Sequence, residues 1–396
     1  MLTSCRKELL SVGTLQIPVI GPWERGTITL PPLPGVVPPG EIWLTVSFRN
    51  KNDTQWADSG AEIAWFQHQF NAPCSLSLIA LPTAFVYPLE VSTNKTTYSV
   101  EGSDFCFNFS RSTGNLKDWK ANGYTFIEED PATKSGLAVG FWRCPIDNDV
   151  PLDAPTWKHW GLHAMTSQLR NLTISHDRND AASSVRLIAT YWLAPPILAW
   201  GFHATVIYDV SPSGKLRVSV HLLPEGPAPV DMPRVGLDIR LPDALDNAVW
   251  FGRGPGESYA DKKLSQKIGV YSASVSQLHT PYDVPQENGN RTDTRWVRIE
   301  DKRGWGVRAS RVAANDDEST ELFQWVASRY SAEVLEKGRH PRDLVPEKCV
   351  RLRLDADSAG VGTGACGPTM LEKYRVKCEE MRFGFELEGW FGNEEI

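Results

Sequence analysis

Long apolar runs are missing from this 396-residue sequence, and no window approaches the ~20 apolar residues that a bilayer-crossing helix needs. The start lacks a charged segment followed by an apolar one. Arg6, Lys7 and Glu8 interrupt residues 1–10, so no secretory leader is expected and a soluble, cytoplasmic protein is. Positive charge is not in excess: the formal net charge is −7 and no basic stripe stands ready for phosphates, which argues against a nucleic-acid binder. Cysteine is sparse and scattered. Cys5, Cys74, Cys106, Cys144, Cys349, Cys366 and Cys378 form no C-x-x-C pair, so they read as free thiols, not as a disulfide framework or zinc site. Without a leader, the Asn-x-Ser/Thr triplets at Asn52, Asn94, Asn108, Asn171 and Asn290 read as chance matches. Repeated βαβ units are also absent, so no parallel α/β barrel is encoded here.

Period-two alternation is what the sequence has. Ile42, Leu44, Val46 and Phe48 alternate with Trp43, Thr45 and Ser47. Leu216 to Leu222, Val235 to Leu241 and Val350 to Leu354 repeat the pattern, as half-buried antiparallel strands do. With 31 glycines and 28 prolines as turn punctuation, this predicts large β-sandwiches. Fifteen tryptophans are about two to three times a typical share, and most are assigned to the core. Two helices are predicted. One spans 331–338, between a Ser331 cap and a Gly338 stop; the other runs from Trp157 to Leu169. A boundary is expected at 72–93, giving domains over 1–92 and 93–396. A sandwich of about seven strands does not fit into 71 residues holding a proline-rich loop, so the first domain reads as incomplete.

Four polar landmarks punctuate the pattern. Trp250-Phe-Gly-Arg-Gly-Pro-Gly-Glu-Ser-Tyr259 presents Arg253 and Glu257, either to sugar hydroxyls or to backbone groups of a structural turn. Pro281-Tyr-Asp-Val-Pro-Gln-Glu-Asn-Gly-Asn-Arg-Thr-Asp-Thr-Arg-Trp296 concentrates Gln286, Glu287, Asn288 and Arg291 among other planar donors and acceptors. It suits polyol recognition or a buried network that pins a loop, the latter favoured for most members. In Gly140-Phe-Trp-Arg-Cys-Pro-Ile-Asp-Asn-Asp149, Asp147 and Asp149 would share one face of a strand, weak support for a cation site, and the proline-flanked segment after Asp149 suits a rim. Gly360-Val-Gly-Thr-Gly-Ala-Cys-Gly-Pro368 lacks the Gly-Lys-Ser/Thr of a phosphate loop, so it suits close approach to a ligand or partner with Cys366 at its tip. No cofactor and no metal are expected.

In this order, and with Trp43-Leu-Thr-Val46, the segments 56–67 and 105–116, and Ser328-Arg-Tyr-Ser-Ala-Glu-Val-Leu-Glu336, the landmarks resemble family 2 β-galactosidases over almost the whole chain. The resemblance implies an all-β fold: a partial immunoglobulin-like sandwich, then a large antiparallel β-supersandwich of galactose-mutarotase-like architecture. It also implies a glycoside hydrolase region without the barrel that carries the acid/base and nucleophile glutamates. Hydrolysis would then need a barrel-bearing large subunit, with a homo-oligomer as a further partner and a β-galactoside as ligand. Cys366 stands where the family brings an aromatic contact to the sugar, and the segment after Asp149 matches a rim near the substrate. Asp149, Arg253, Glu257, Glu287, Asn288 and Arg291 complete the candidate substrate-binding set, with no catalytic residue among them. Gly256, Ser258 and Ala260 replace the family's usual His, Asn and Pro. Two alternatives stay open: a free-standing carbohydrate-binding or mutarotase-like protein, with Glu257, Glu287, His159, His163 or His279 as acid and base, and a tryptophan-rich pocket recruited for other small molecules.

Overall fold

A computed structural model of the chain describes residues 1–4, 9–32, 40–72, 87–176, 183–313, 320–362 and 370–392. Contacts divide it into two compact units, one of residues 1–82 with Lys267–Val270, the other holding nearly all the rest.

In the first unit, strands β1 (Leu2–Ser4), β2 (Leu9–Ser11), β3 (Gly40–Arg49) and β4 (Glu62–Ala72) form one antiparallel sheet in the order β2-β1-β3-β4. The alternation read at 42–48 falls within β3. Its register pairs Ile42 with Phe70, Leu44 with His68 and Val46 with Phe66.

The second unit is built from antiparallel sheets. A meander of five short strands runs from Glu90–Thr93 to Tyr124–Ile127. A second five-stranded sheet has the order Leu137–Gly140, Arg234–Pro242, Cys349–Ser358, Phe323–Ser328, Arg291–Thr294. The ten-stranded sheet begins Thr166–Ser175, Val185–Ala194, Gly201–Val210, Leu216–Glu225, Met381–Phe391. Alternation explains how they stack. Leu237, Ile239 and Leu241 lie opposite Leu354, Leu352 and Val350, so their apolar sides form one patch of the five-stranded sheet. That patch joins a continuous core with Val218, Val220, Val297, Ile299, Phe385 and Leu387 of the ten-stranded sheet. Trp119, Trp157, Trp200, Trp250 and Trp325 are fully buried, which puts these tryptophans in the core as expected.

The helices depart from expectation in instructive ways. Ser331 caps Ala332–Lys337 through its side chain, accepting from the Val334 N–H at 3.3 Å. Gly338 ends the helix at φ −69°, an ordinary extended conformation, so it does not serve as a left-handed stop. Space is the better reason for glycine there: a Cβ would meet Leu344 at 2.9 Å and Pro285 at 3.1 Å. The second helix begins earlier than the pattern suggests, at Asp153, and ends at His159. Pro155 sits in its first turn, where its missing N–H costs nothing. Gly161 at φ 70° then breaks the chain, and Thr166–Ser175 is a strand. No helix of the described residues is long and apolar enough to cross a membrane.

Candidate functional site

Two segments far apart in sequence meet at one buried arginine. Arg143 is fully buried, and its Nη2 donates to both Asp149 carboxylate oxygens at 3.2 and 3.1 Å. The same guanidinium donates to the carbonyls of Ala359 at 2.5 Å and Gly360 at 2.9 Å. Burial pushes the Asp149 carboxyl upward against the opposing pull of Arg143 and of the Ile146 N–H, which it accepts at 3.0 Å. Asn148 adds a bond to the Val361 carbonyl at 2.8 Å, and the Val361 and Gly362 N–H groups donate to the Asp261 carboxylate at 3.0–3.1 Å. Gly362, at φ 97°, passes so close that a Cβ would lie 2.8 Å from Asn148 Nδ2. The stem of the glycine-rich loop is thereby fastened to the segment around Asp149. Cys366 itself lies outside the described residues.

Residues 146–150 form a turn, not a strand, because the Asp149 and Val150 N–H groups both return to the Ile146 carbonyl. Asp147 therefore points outward to Gln286 while Asp149 points inward to Arg143, and the pair does not build a cation site. Beside this turn lies a cleft of about 500 Å³, walled by Val150, Pro155, Val284, Pro285 and buried Cys144. Lys158 and Glu336, paired with each other, and Asp147 with Gln286 supply polar groups to it.

The two central landmarks fold into a shared network. Arg253 donates to Asp293 at 2.5 Å and to the carbonyls of Lys263 and Gln266. Glu257 accepts from the Gly289 N–H at 2.9 Å, Thr280 at 3.0 Å, Lys262 at 2.7 Å and the Tyr282 hydroxyl. Asn288 accepts from the Thr280 N–H and donates to the Gln286 carbonyl. Arg291 donates to the carbonyls of Leu278, Gly289 and Pro255 and stacks over Trp250, and burial pulls its guanidinium down to about 10. Glu287 goes elsewhere, into a two-point clamp with Arg353 at 2.9 and 2.5 Å. Glu257, Asn288 and Arg291 thus share one network, Asp149 and Glu287 each have their own arginine, and Arg253 answers to Asp293. At Gly256 and Ser258 the turn is held by Gln266 on the Gly256 N–H and by Ser258 against Thr292.

Desolvation works against the Glu257 charge, but the Gly289 N–H, Lys262 and Tyr282 outweigh it and hold the carboxyl below the usual glutamate value. A depressed folded pKa gives stability that is complete above the unfolded value of about 4.3 and is lost as pH falls through the folded one. Glu257→Gln is therefore expected to flatten the loss of urea stability between about pH 4.5 and 3. An unchanged slope in that window would refute this.

Among the mutarotase candidates, His279 lies beside Asn288 and feels the Glu257 charge. Its ring packs at a tilt against Tyr330, with burial lowering its pKa, while His159 and His163 pack on Trp160 and Trp142. Arg143, Asn148, Asp261 and Arg353 escaped the sequence reading as organisers. For Arg143 the available signal was a lone cation inside the apolar run Phe141-Trp142.

The family model "Beta galactosidase small chain" matches residues 101–387, and "Beta-galactosidase, domain 4" matches residues 3–71. A β-galactosidase of Kluyveromyces lactis is 30% identical over 94% of this chain and 34% of its own length. One from Vibrio cholerae is 32% identical over 85% of this chain and 31% of its own. The chain thus spans about a third of the length of these curated relatives. A solved aldose epimerase homologue from C. elegans aligns over 77% of this chain and 99% of its own at 10% identity, with a TM-score of only 0.38. On the match that covers most of its length, the chain belongs to the β-galactosidase small chain family.

Proposed function

We propose that the chain is the non-catalytic β portion of a family 2 β-galactosidase, which walls a β-galactoside site while the hydrolytic glutamates stand on a barrel-bearing partner. The observation that carries this reading is the Arg143 clamp, which holds the segment after Asp149 and the stem of the Cys366 loop side by side. Two loops that form one wall need such a shared anchor, because positions must hold within about an ångström for the site to work. Cys366 and the rim after Asp149 are then the parts that reach the sugar. Asp149, Arg253, Glu257, Glu287, Asn288 and Arg291 act behind them as positioning residues.

Retaining hydrolysis needs two carboxyl groups ~5–5.5 Å apart that are free to protonate a leaving group and attack an anomeric carbon. Glu257 and Glu287 are instead spent on protein partners, one on four donors and the other on Arg353. The same commitment disfavours a mutarotase, whose acid and base must be free to exchange protons with the sugar.

The purified chain is expected to leave a chromogenic β-galactoside uncleaved, and to support hydrolysis once assembled with a barrel-bearing β-galactosidase polypeptide. Turnover by the chain alone, at ordinary enzyme rates of about 1 s⁻¹ or more, would overturn the proposal.

A further inference from the structure

A sheet edge presents a row of backbone N–H and C=O groups to which a further strand can add. In the second unit, both five-stranded sheets end on short edges. Glu90–Thr93, Tyr124–Ile127, Leu137–Gly140 and Arg291–Thr294 are four residues each. Edges this short give an added strand little to pair with. The ten-stranded sheet ends differently. Its edge strand Thr166–Ser175 is ten residues long and pairs on one side with Val185–Ala194. It joins no other strand among the described residues, and seven of its ten residues are exposed.

The devices that guard such an edge protect only half of it. A bulge interrupts the pairing between Leu169 and Asn171, and the extra residue is Arg170, the only charged one in the strand. Beyond the bulge, Asn171-Leu-Thr-Ile-Ser175 carries no charge and no proline. Leu172 and Ile174 lie opposite Ala189 and Leu187, which are fully buried, so they face the core. Both are nevertheless only half-buried, while Asn171, Thr173 and Ser175 point to solvent. The core is thus open along the same five residues whose outer backbone edge is open.

We infer that residues 171–175 are a docking site for the same segment of a second copy of this chain, paired antiparallel about a two-fold axis through Thr173, so that two ten-stranded sheets join into one. The alternation selects the register. A slip by one residue would turn the apolar side to solvent, so the axis passes through a residue and not between two. Through Leu172 it would set Ile174 against Arg170, and through Ile174 it would set Leu172 against His176. Through Thr173 it sets Leu172 against Ile174 of the second copy and Ile174 against that copy's Leu172, with Asn171 against Ser175 on the solvent side. Two apolar cross-strand pairs then flank the axis, and the two Arg170 side chains stand at opposite ends. A different polypeptide would have to bring a matching strand. This segment already matches itself, which is the condition for a two-fold interface. The inference does not rest on the proposed function.

Sedimentation of the purified full chain tests it. Five residues a side is a small contact, so the chain is expected to pass from monomer to dimer between about 1 and 100 µM, as weak interfaces do. Thr173→Lys sets like charges against each other across the axis and should weaken the dimer about fivefold or more, and Thr173→Glu should do the same. An equimolar mixture of the two variants should dimerise at least as tightly as the parent, because residue 173 of one copy then faces the opposite charge. Position 173 is exposed, so the tryptophan-reported urea transition should stay in place in both variants. A parent that remains monomeric at 100 µM overturns the inference, as does a dimer that neither variant weakens. A mixture no tighter than either variant alone rules out the register. Protection of amides 171–175 from hydrogen exchange that arises only on adding a barrel-bearing β-galactosidase polypeptide would make that polypeptide the occupant, and overturns the inference equally. None of these readouts involves a galactoside, so failure here is distinct from failure of the hydrolysis assay.

Discussion

Asp149→Ala is expected to destabilise the second unit by about 3–5 kcal/mol, the range for a buried ion pair that loses one member. The reason is what remains. Arg143 would keep its full charge with no exposure to water, held by the carbonyls of Ala359 and Gly360 and by the face of the Trp157 ring. Carbonyl dipoles solvate a cation partially, whereas the carboxylate neutralises it. Asp149→Asn should cost less, since an amide oxygen can still accept from Arg143 and from the Ile146 N–H. The double change Arg143→Met with Asp149→Leu should regain much of the loss, because apolar residues of similar volume can replace a buried pair at little net cost. Urea unfolding followed by tryptophan fluorescence reads all three, as the fully buried tryptophans lie in the second unit. A midpoint that falls at constant slope is the expected signature. A cost below about 1 kcal/mol for Asp149→Ala would mean that water reaches Arg143 and that the clamp is not the anchor proposed here. The double variant carries the functional corollary: stability returns without the link between the loops, so hydrolysis by the assembled enzyme should stay low even though the unit is folded.

The architecture was legible in the sequence wherever burial follows a simple period. The runs at 42–48, 216–222, 235–241 and 350–354 all lie in strands, and the last two meet in register. Legibility failed where one residue overrides its neighbours. The helix read from Trp157 to Leu169 ends at His159 because Gly161 takes a left-handed conformation, and Pro155 hid the true start by standing inside the first turn. Asp147 and Asp149 diverge because residues 146–150 close a turn, which spacing alone cannot distinguish from a strand. The site was harder still. The landmarks mark polar density correctly, yet only coordinates reveal that Glu257 serves Gly289 and Lys262 while its sequence neighbour in kind, Glu287, serves Arg353. Partners 32 and 66 residues away, such as Gly289 for Glu257 and Arg353 for Glu287, leave no local trace. Arg353 shows the difficulty best. In Val350-Arg-Leu-Arg-Leu354 its alternation with leucines reads as a solvent-facing position, but its side chain keeps only 13% of its exposure. The polar side of that strand is a second interior.

That second interior yields the other large effect. Arg353→Met is expected to cost about 3–5 kcal/mol, and more than Glu287→Gln. The asymmetry follows from the number of charges each removal leaves behind. Asp355 is fully buried; Arg234 reaches it at 2.7 Å and Arg353 lies 3.7 Å away. Arg234 in turn also serves Asp238 at 2.9 Å. Taking away Glu287 leaves Arg353 beside Asp355, so the cation keeps a counter-charge. Taking away Arg353 leaves Glu287 without its clamp, and leaves Arg234 to balance Asp355 and Asp238 together. Two carboxylates short of one cation are costlier than one cation whose second carboxylate is gone. Glu287 also closes the loop whose exposed flank carries Val284, at 49% exposure, and whose Gln286 lines the cleft. Arg353→Met should therefore make residues 282–286 the first site of proteolytic nicking, at protease levels that leave the parent intact. Equal losses for the two variants would show that Arg353 and Asp355 are not coupled. A double-mutant cycle with Asp355→Asn measures that coupling directly, and a value indistinguishable from zero removes the argument.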